Sequence, residues 1–316
     1  WEVWLQRCRQ VFLLFCSNTD MASGTELATE VAHGPTPGEY IAHHLTFLNN
    51  TGEKQAELIN WNLVNLDTVF YSVILGIIAL FVLYRAAAKS TSGVPGRFQA
   101  AVEILVEMVA DQAKGLIHSE ESRRTVAPLA LIVFVWIFLM NAMDLLPLDL
   151  LPRIWEGIYA SAGHDPHHAY MRVVPTADIN ATMGMSIAVL LVCLYYNVKI
   201  KGAGGWAHEL ISAPFGDKLI LAPFNFAMNV IEFLAKTVSH GMRLFGNMFA
   251  GELIFMLIAL MGAAWTGANA PSFLLAFGHI VAGFAWAVFH ILVVALQAFI
   301  FMMLTLVYIG QAHEGH

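Results

Sequence analysis

An arginine stands inside one of the most apolar stretches of this 316-residue chain. The run His240 to Leu260, HGMRLFGNMFAGELIFMLIAL, carries Arg243, Asn247 and Glu252 in a segment long and oily enough to cross a bilayer. An arginine near the bilayer centre costs about 2.5–3.5 kcal/mol on insertion scales, so it is kept for ion movement or for pairing. The guanidinium stays charged at any working pH and cannot pass a proton on. It can hold a neighbouring carboxylate anionic. Glu252 and the later His290 are different, because a carboxylate and an imidazole can both take up and release protons.

At about 100° per residue, Asn225, Asn229, Glu232, Lys236, Ser239, His240 and Asn247 all fall within about 60° of the direction of Arg243. The spacing predicts a polar track along one helix face, leading to the arginine. Past Asn247 that face turns apolar at Ala250, Ile254 and Leu257. Glu252 lies nine residues beyond Arg243, so it points about 180° away and sits about 13 Å further along the axis. On a continuous helix the two cannot pair. Snorkelling also fails, because neither helix end is near. Lys236 lies one turn from Glu232 and can neutralise it. Ser239 and His240 suit either a channel wall or packing.

A second stripe, His279, Trp286, His290 and Gln297, runs along the last apolar segment. Asn269-Ala270-Pro271 is the one turn-like sequence between the two segments. An antiparallel hairpin about it brings Gln297 level with Arg243, and His290 level with Glu252. Two wet pockets at different depths are expected. One follows the stripe to Arg243. The other surrounds Glu252 and His290, with Asp144, Asp178 or Asn180 as possible neighbours.

The elements that position these groups follow from composition. The chain is 58% hydrophobic and 12% charged, where a soluble domain carries about 25% charged residues. An all-α integral membrane protein is expected. The net charge of −7 lies mostly in ends and loops, and no basic stripe or aromatic platform suits nucleic acid. Cys8, Cys16 and Cys193 show neither metal-ligand spacing nor a disulfide framework. No phosphate loop or nucleophile constellation occurs, so no cofactor, metal or catalytic site of its own is expected.

Five membrane-embedded segments are predicted, at about 68–84, 128–146, 176–198, 219–265 and 271–309. Residues 97–117 form an amphipathic helix, with Phe98, Val102, Leu105, Val109 and Leu116 on one face and Glu103, Glu107, Asp111 and Lys114 on the other. A polar loop with His164, His167 and His168 follows Pro147, and a glycine-rich loop covers Gly202–Asp217. The histidine loop is read as solvated rather than as a metal site. Each of the last two segments, as one helix, would be about 60 Å long, twice the hydrocarbon thickness. Each must break or tilt strongly. Arg85, Lys89, Arg123, Arg124, Lys199 and Lys201 mark cytoplasmic ends, which puts the N-terminus outside and the C-terminus inside. Residues 1–20 read as a leader or non-native segment ahead of Met21, and 21–66 as a polar non-cytoplasmic stretch before the membrane domain, 67–316.

RLFGNMFAGELIF, NAMDLLPLDLLP, RVVPTADIN and FHILVVALQAFIFMMLTLVYI together resemble subunit a of the bacterial F-type rotary ATP synthase. The likeness runs from about Asp67 to Tyr308. It implies the stator half of a proton turbine in the bacterial inner membrane. The implied partners are a ring of c subunits, the b-subunit peripheral stalk and the remaining synthase subunits. It also implies that the last two helices lie strongly tilted along the ring. Arg243 matches the family's essential arginine, which meets the ring carboxylate and blocks leakage between half-channels. Asn247, Glu252, His290 and Gln297 match polar positions of the hairpin, and Asp144 and Asp67 match acidic positions of earlier helices. The family often has an acid about four turns before the arginine. Here that position is Asn229, with Glu232 one turn later.

Two other function classes fit the same charges. A self-contained ion-coupled secondary transporter would need an internal repeat or paired broken helices, and no clear repeat is visible. A membrane scaffold would use the charges for structure alone.

Overall fold

Hydrophobic length decides the architecture of the computed structural model. It describes residues 37–51, 62–91, 93–147, 149–163, 169–213, 215–216, 219–263 and 269–313. In chain order the helices are α1 (Pro37–His44), α2 (Leu66–Ala88), α3 (Arg97–Leu116) and α4 (Glu120–Ala142), then α5 (Leu150–Ser161), α6 (Ile179–Ser212), α7 (Ala222–Ala263) and α8 (Ala270–Gln311). No strand forms among the described residues, and Asn49 and Asn65 make one isolated bridge. Five helices, α2, α4, α6, α7 and α8, are long and apolar enough to cross a membrane. The fold is therefore the all-α membrane type expected from composition. Residues from Ile41 onward form one compact unit. Trp1–Tyr40 is a separate unit, of which only the opening of α1 is described. Cys8, Cys16, Met21, His164, His167 and His168 lie outside the described residues.

The two longest segments do not break. α7 and α8 are 42 residues each, so each is about 63 Å long. An unbroken helix of that length cannot stand upright within hydrocarbon about 30 Å thick. The pair is antiparallel with a constant register. The His240 ring packs on Phe301, Gly251 faces His290 and Gly262 faces His279, every pair centred between residues 270 and 271. Glycine is required at 251, because a Cβ there would overlap the imidazole of His290.

α4 runs through the core, where Ala130, Ile137 and Met140 are fully buried with Met302, Leu306 and Ile309 of α8 and Leu244 and Met248 of α7. α7 packs between α6 and α8. α3 is not a membrane-length apolar helix. Its Val109 and Ala113 are buried where it meets α4 and α8, while Phe98 and Ile104 stay exposed.

Two segments expected as loops are helical. α5 replaces most of the polar loop after Pro147, because Leu150, Ile154 and Ile158 recur at the spacing of one helical face. The glycine-rich loop is the last part of α6. Only Gly202 leaves helical geometry, at φ 72°, a conformation that suits glycine. Beyond it Trp206, Glu209, Leu210 and Ala213 turn inward at helical spacing, and Lys201 bridges the break to Glu209 at 2.7 Å.

Candidate functional site

Arg243 lies halfway along α7 and is exposed, on a face it shares with Ser239, Met242, Asn247 and Ala250. Among the described residues no ion pair reaches it. Behind it is a narrow cleft lined by His240, Leu244, Gln297, Ile300, Phe301 and Leu304, with no room for a water molecule. Gln297 is buried there, level with the arginine as the hairpin requires.

Glu252, on the next stretch of α7, faces inward and is nearly inaccessible. Its partner is Arg172, in the segment leading to α6. Arg172 Nη2 donates to Glu252 Oε2 at 2.5 Å and Nε to Oε1 at 3.3 Å, a two-pronged contact. The guanidinium also lies over the rings of Phe47, at 4.6 Å, and Phe249, at 5.5 Å. The Arg172 backbone N–H donates to Asp67 Oδ2 at 3.0 Å. Asp67 accepts two more backbone N–H bonds, from Leu48 and Thr68, so its carboxylate ties the chain before α2 to the chain before α6.

His290 Nε2 lies 2.6 Å from Asp144 Oδ2, and both side chains are buried. Glu252 and His290 therefore occupy neighbouring turns, but each pairs elsewhere. Glu252 pairs with Arg172, and His290 with Asp144, the first of the neighbours expected for this region. A cavity of about 30 Å³, room for a water or two, is lined by Asp144, Arg172, Glu252, His44 and residues of α5. His44 Nε2 contacts Asp149 Oδ1 at 3.0 Å at this cavity. Asp178 and Asn180 do not line it. Asp178 caps α6 through the Asn180 N–H and accepts from Asn65 and Thr68.

Replacing Gly251 with alanine is expected to drive the His290 ring off Asp144, since the added methyl takes the space of the ring. Overpacking of this kind costs about 1–3 kcal/mol. A thermal unfolding curve in detergent reads it, and an unchanged midpoint would contradict the packing described.

A larger cavity, about 270 Å³, opens between α6, α7 and α8. Glu232, Lys236, His240 and Asn229 line it from α7, with Lys201 and Glu209 opposite. Lys236 Nζ meets Glu232 at 2.6 Å and donates to Gln311 at 2.9 Å. Ser186 of α6 donates to the Thr237 carbonyl at 2.5 Å, which closes the α6 wall.

The expected polar track is therefore not uniform. Asn225 is fully buried and staples the α6–α7 turn, donating to Ile211 and Gly216 carbonyls and accepting from the Phe215 N–H. Asn229 donates to the Leu210 and Ala213 carbonyls. Glu232, Ser239, Arg243 and Asn247 are exposed, Lys236 is half-buried and His240 is buried. Arg172 and His44 were missed by periodicity, because Arg172 lies in no helix and His44 ends a short one. The signal for Arg172 was its charge in a chain that has few, beside the Val-Val-Pro-Thr-Ala turn.

The family described as ATP synthase A chain matches residues 69–310. The ATP synthase subunit a of Paracidovorax citrulli (strain AAC00-1) is 64% identical over 90% of this chain and 99% of its own length. The proteins of that name from Acidovorax sp. (strain JS42) and Verminephrobacter eiseniae (strain EF01-2) are 61% and 57% identical over the same shares. The matched stretch takes in α4, α6, α7 and most of the residues that line the two cavities, and this chain belongs to the ATP synthase A chain family.

Proposed function

We propose that this chain is the proton-translocating stator subunit of the Fo sector of a bacterial rotary ATP synthase. It sits in the plasma membrane beside a ring of c subunits, with the b-subunit peripheral stalk and the other synthase subunits as further partners. The observation that carries this reading is Arg243, an exposed cation without an ion-pair partner among the described residues, halfway along a membrane-length helix and beside the uncharged Ser239, Met242, Asn247 and Ala250. Such a charge calls for an anion from outside the chain. A carboxylate on a neighbouring membrane helix supplies it.

The two cavities support opposite roles on either side of that charge. Protons enter from outside through the Asp144, His290 and Glu252 region and neutralise the ring carboxylate. The ring turns until that group meets Arg243. There it gives up its proton toward the larger cavity, past His240, Ser239, Lys236 and Glu232 to the cytoplasm. Arg243 holds the bare carboxylate anionic until it passes, with Asn247 and Gln297 beside it as polar guides. Asp67 serves the outer pathway by fixing the backbone that carries Arg172. In this orientation the N-terminus is outside and the C-terminus cytoplasmic.

Purification in mild detergent tests the reading. A small two-helix proteolipid with a mid-helix carboxyl group is expected to accompany the chain in many copies. Isolation of the chain alone, or as a simple oligomer, would overturn it.

A further inference from the structure

His240 is the one side chain that belongs to both the large cavity and the tight cleft behind Arg243. It is 2% exposed, and its Nε2 is buried with no hydrogen-bond partner among the described residues. A buried polar atom left unpaired costs about 1–3 kcal/mol and calls for an explanation. The ring lies tilted against Phe301, with centroids 3.8 Å apart, and edge-on to Tyr308 at 5.7 Å. Packing alone would be met by a phenyl ring, without the unpaired nitrogen.

On the reading above, a proton leaving the ring carboxyl must reach the large cavity. The cleft behind Arg243 has no room for water, so a proton crossing it needs a side chain to carry it. A group that both accepts and donates must bridge the dry stretch. Arg243 cannot, because it never gives up its proton. Gln297 does not titrate. Glu232 and Lys236 lie on the far side of His240, paired to each other at 2.6 Å. Lys201 and Glu209 across the cavity are paired at 2.7 Å, and Tyr308 presents its ring to the histidine.

We propose that His240 is the proton relay between the Arg243 cleft and the large cavity, a role that rests on the stator reading. The ring carboxyl's O–H bond breaks as an N–H bond forms on the imidazole. The second ring nitrogen then loses its own proton to cavity water, which leaves the ring neutral as the opposite tautomer, and tautomer exchange restores the starting form.

Passive proton flux through the Fo sector, in inverted membrane vesicles stripped of the catalytic head, tests this. His240→Gln and His240→Phe are expected to lower flux at least about tenfold. His240→Phe keeps an aromatic ring against Phe301, so a packing role would leave its flux intact. Added imidazole is expected to restore flux to His240→Ala, with a pH profile that follows the added base. Flux within about twofold of wild type in the Gln and Phe variants would overturn the proposal. So would a loss that imidazole does not relieve in vesicles with normal ring content. Arg243→Ala measured alongside separates the two readings. Normal coupled pumping in that variant sinks the stator reading, whereas its failure beside unaffected His240 variants removes only the relay.

Discussion

Arg243→Ala is expected to abolish ATP-driven proton pumping in reconstituted vesicles and to open a passive proton leak. The physical reason is that the guanidinium does two things that no neutral side chain can. It lowers the energy of an anionic carboxylate in a poorly screened setting, and it raises the energy of any free proton at the same place. Ser239, His240, Asn247 and Gln297 are nearby polar groups, and none of them carries a fixed charge. With alanine at 243 the cleft loses its only fixed charge. Acid-quenched fluorescence reads pumping, and a potential-driven flux assay reads the leak. Coupled pumping at the wild-type rate would contradict the gate. Arg243→Lys keeps the charge but not the planar fork, so it is expected to block the leak and still turn poorly.

The second large effect belongs to Arg172. Its pair with Glu252 is about 95% shielded from solvent on both sides. A buried pair gives little net stability over an apolar substitute, but removing one partner strands the other charge and costs about 3–5 kcal/mol. Arg172→Ala is expected to lower the unfolding free energy by that amount and to cut proton pumping sharply. Glu252→Gln in the same chain removes the stranded charge, so the double variant is expected to regain most of the stability. It should not regain the pumping, because the carboxylate itself is gone. A double-variant cycle in detergent unfolding measures the coupling. Strictly additive losses would show that the two groups do not act as a pair.

Much of this could be read in the chain because membrane helices announce themselves through apolar runs and fixed periodicity. The hairpin register came from stripes at helical spacing about a single turn sequence, and His290 against Gly251 follows that register. What periodicity could not see were groups whose position depends on three-dimensional closure. Arg172 sits in an irregular segment, so no wheel assigns it a face, and its claim on Glu252 depends on how α6 approaches α7. Asn225 and Asn229 shared the arginine's face in projection, yet the returning end of α6 captured both through backbone carbonyls. The end of α6 itself looked like a loop because three glycines crowd it, although only Gly202 uses the freedom they offer.

The unequal cavities carry an electrical consequence. Water and mobile ions in a wide vestibule hold it near the potential of the bulk phase it opens to, so little voltage falls across it. The field then concentrates over the narrower stretches, the cleft behind Arg243 and the 30 Å³ pocket, rather than over the 270 Å³ cavity. A unit charge moving through a full potential difference gains about 2.3 kcal/mol per 100 mV. On the proposed path that gain is divided between the cleft behind Arg243 and the region around Asp144, Glu252 and His290. Steps within the larger cavity would then answer chiefly to acidity, and the voltage would act on the narrow stretches beyond it.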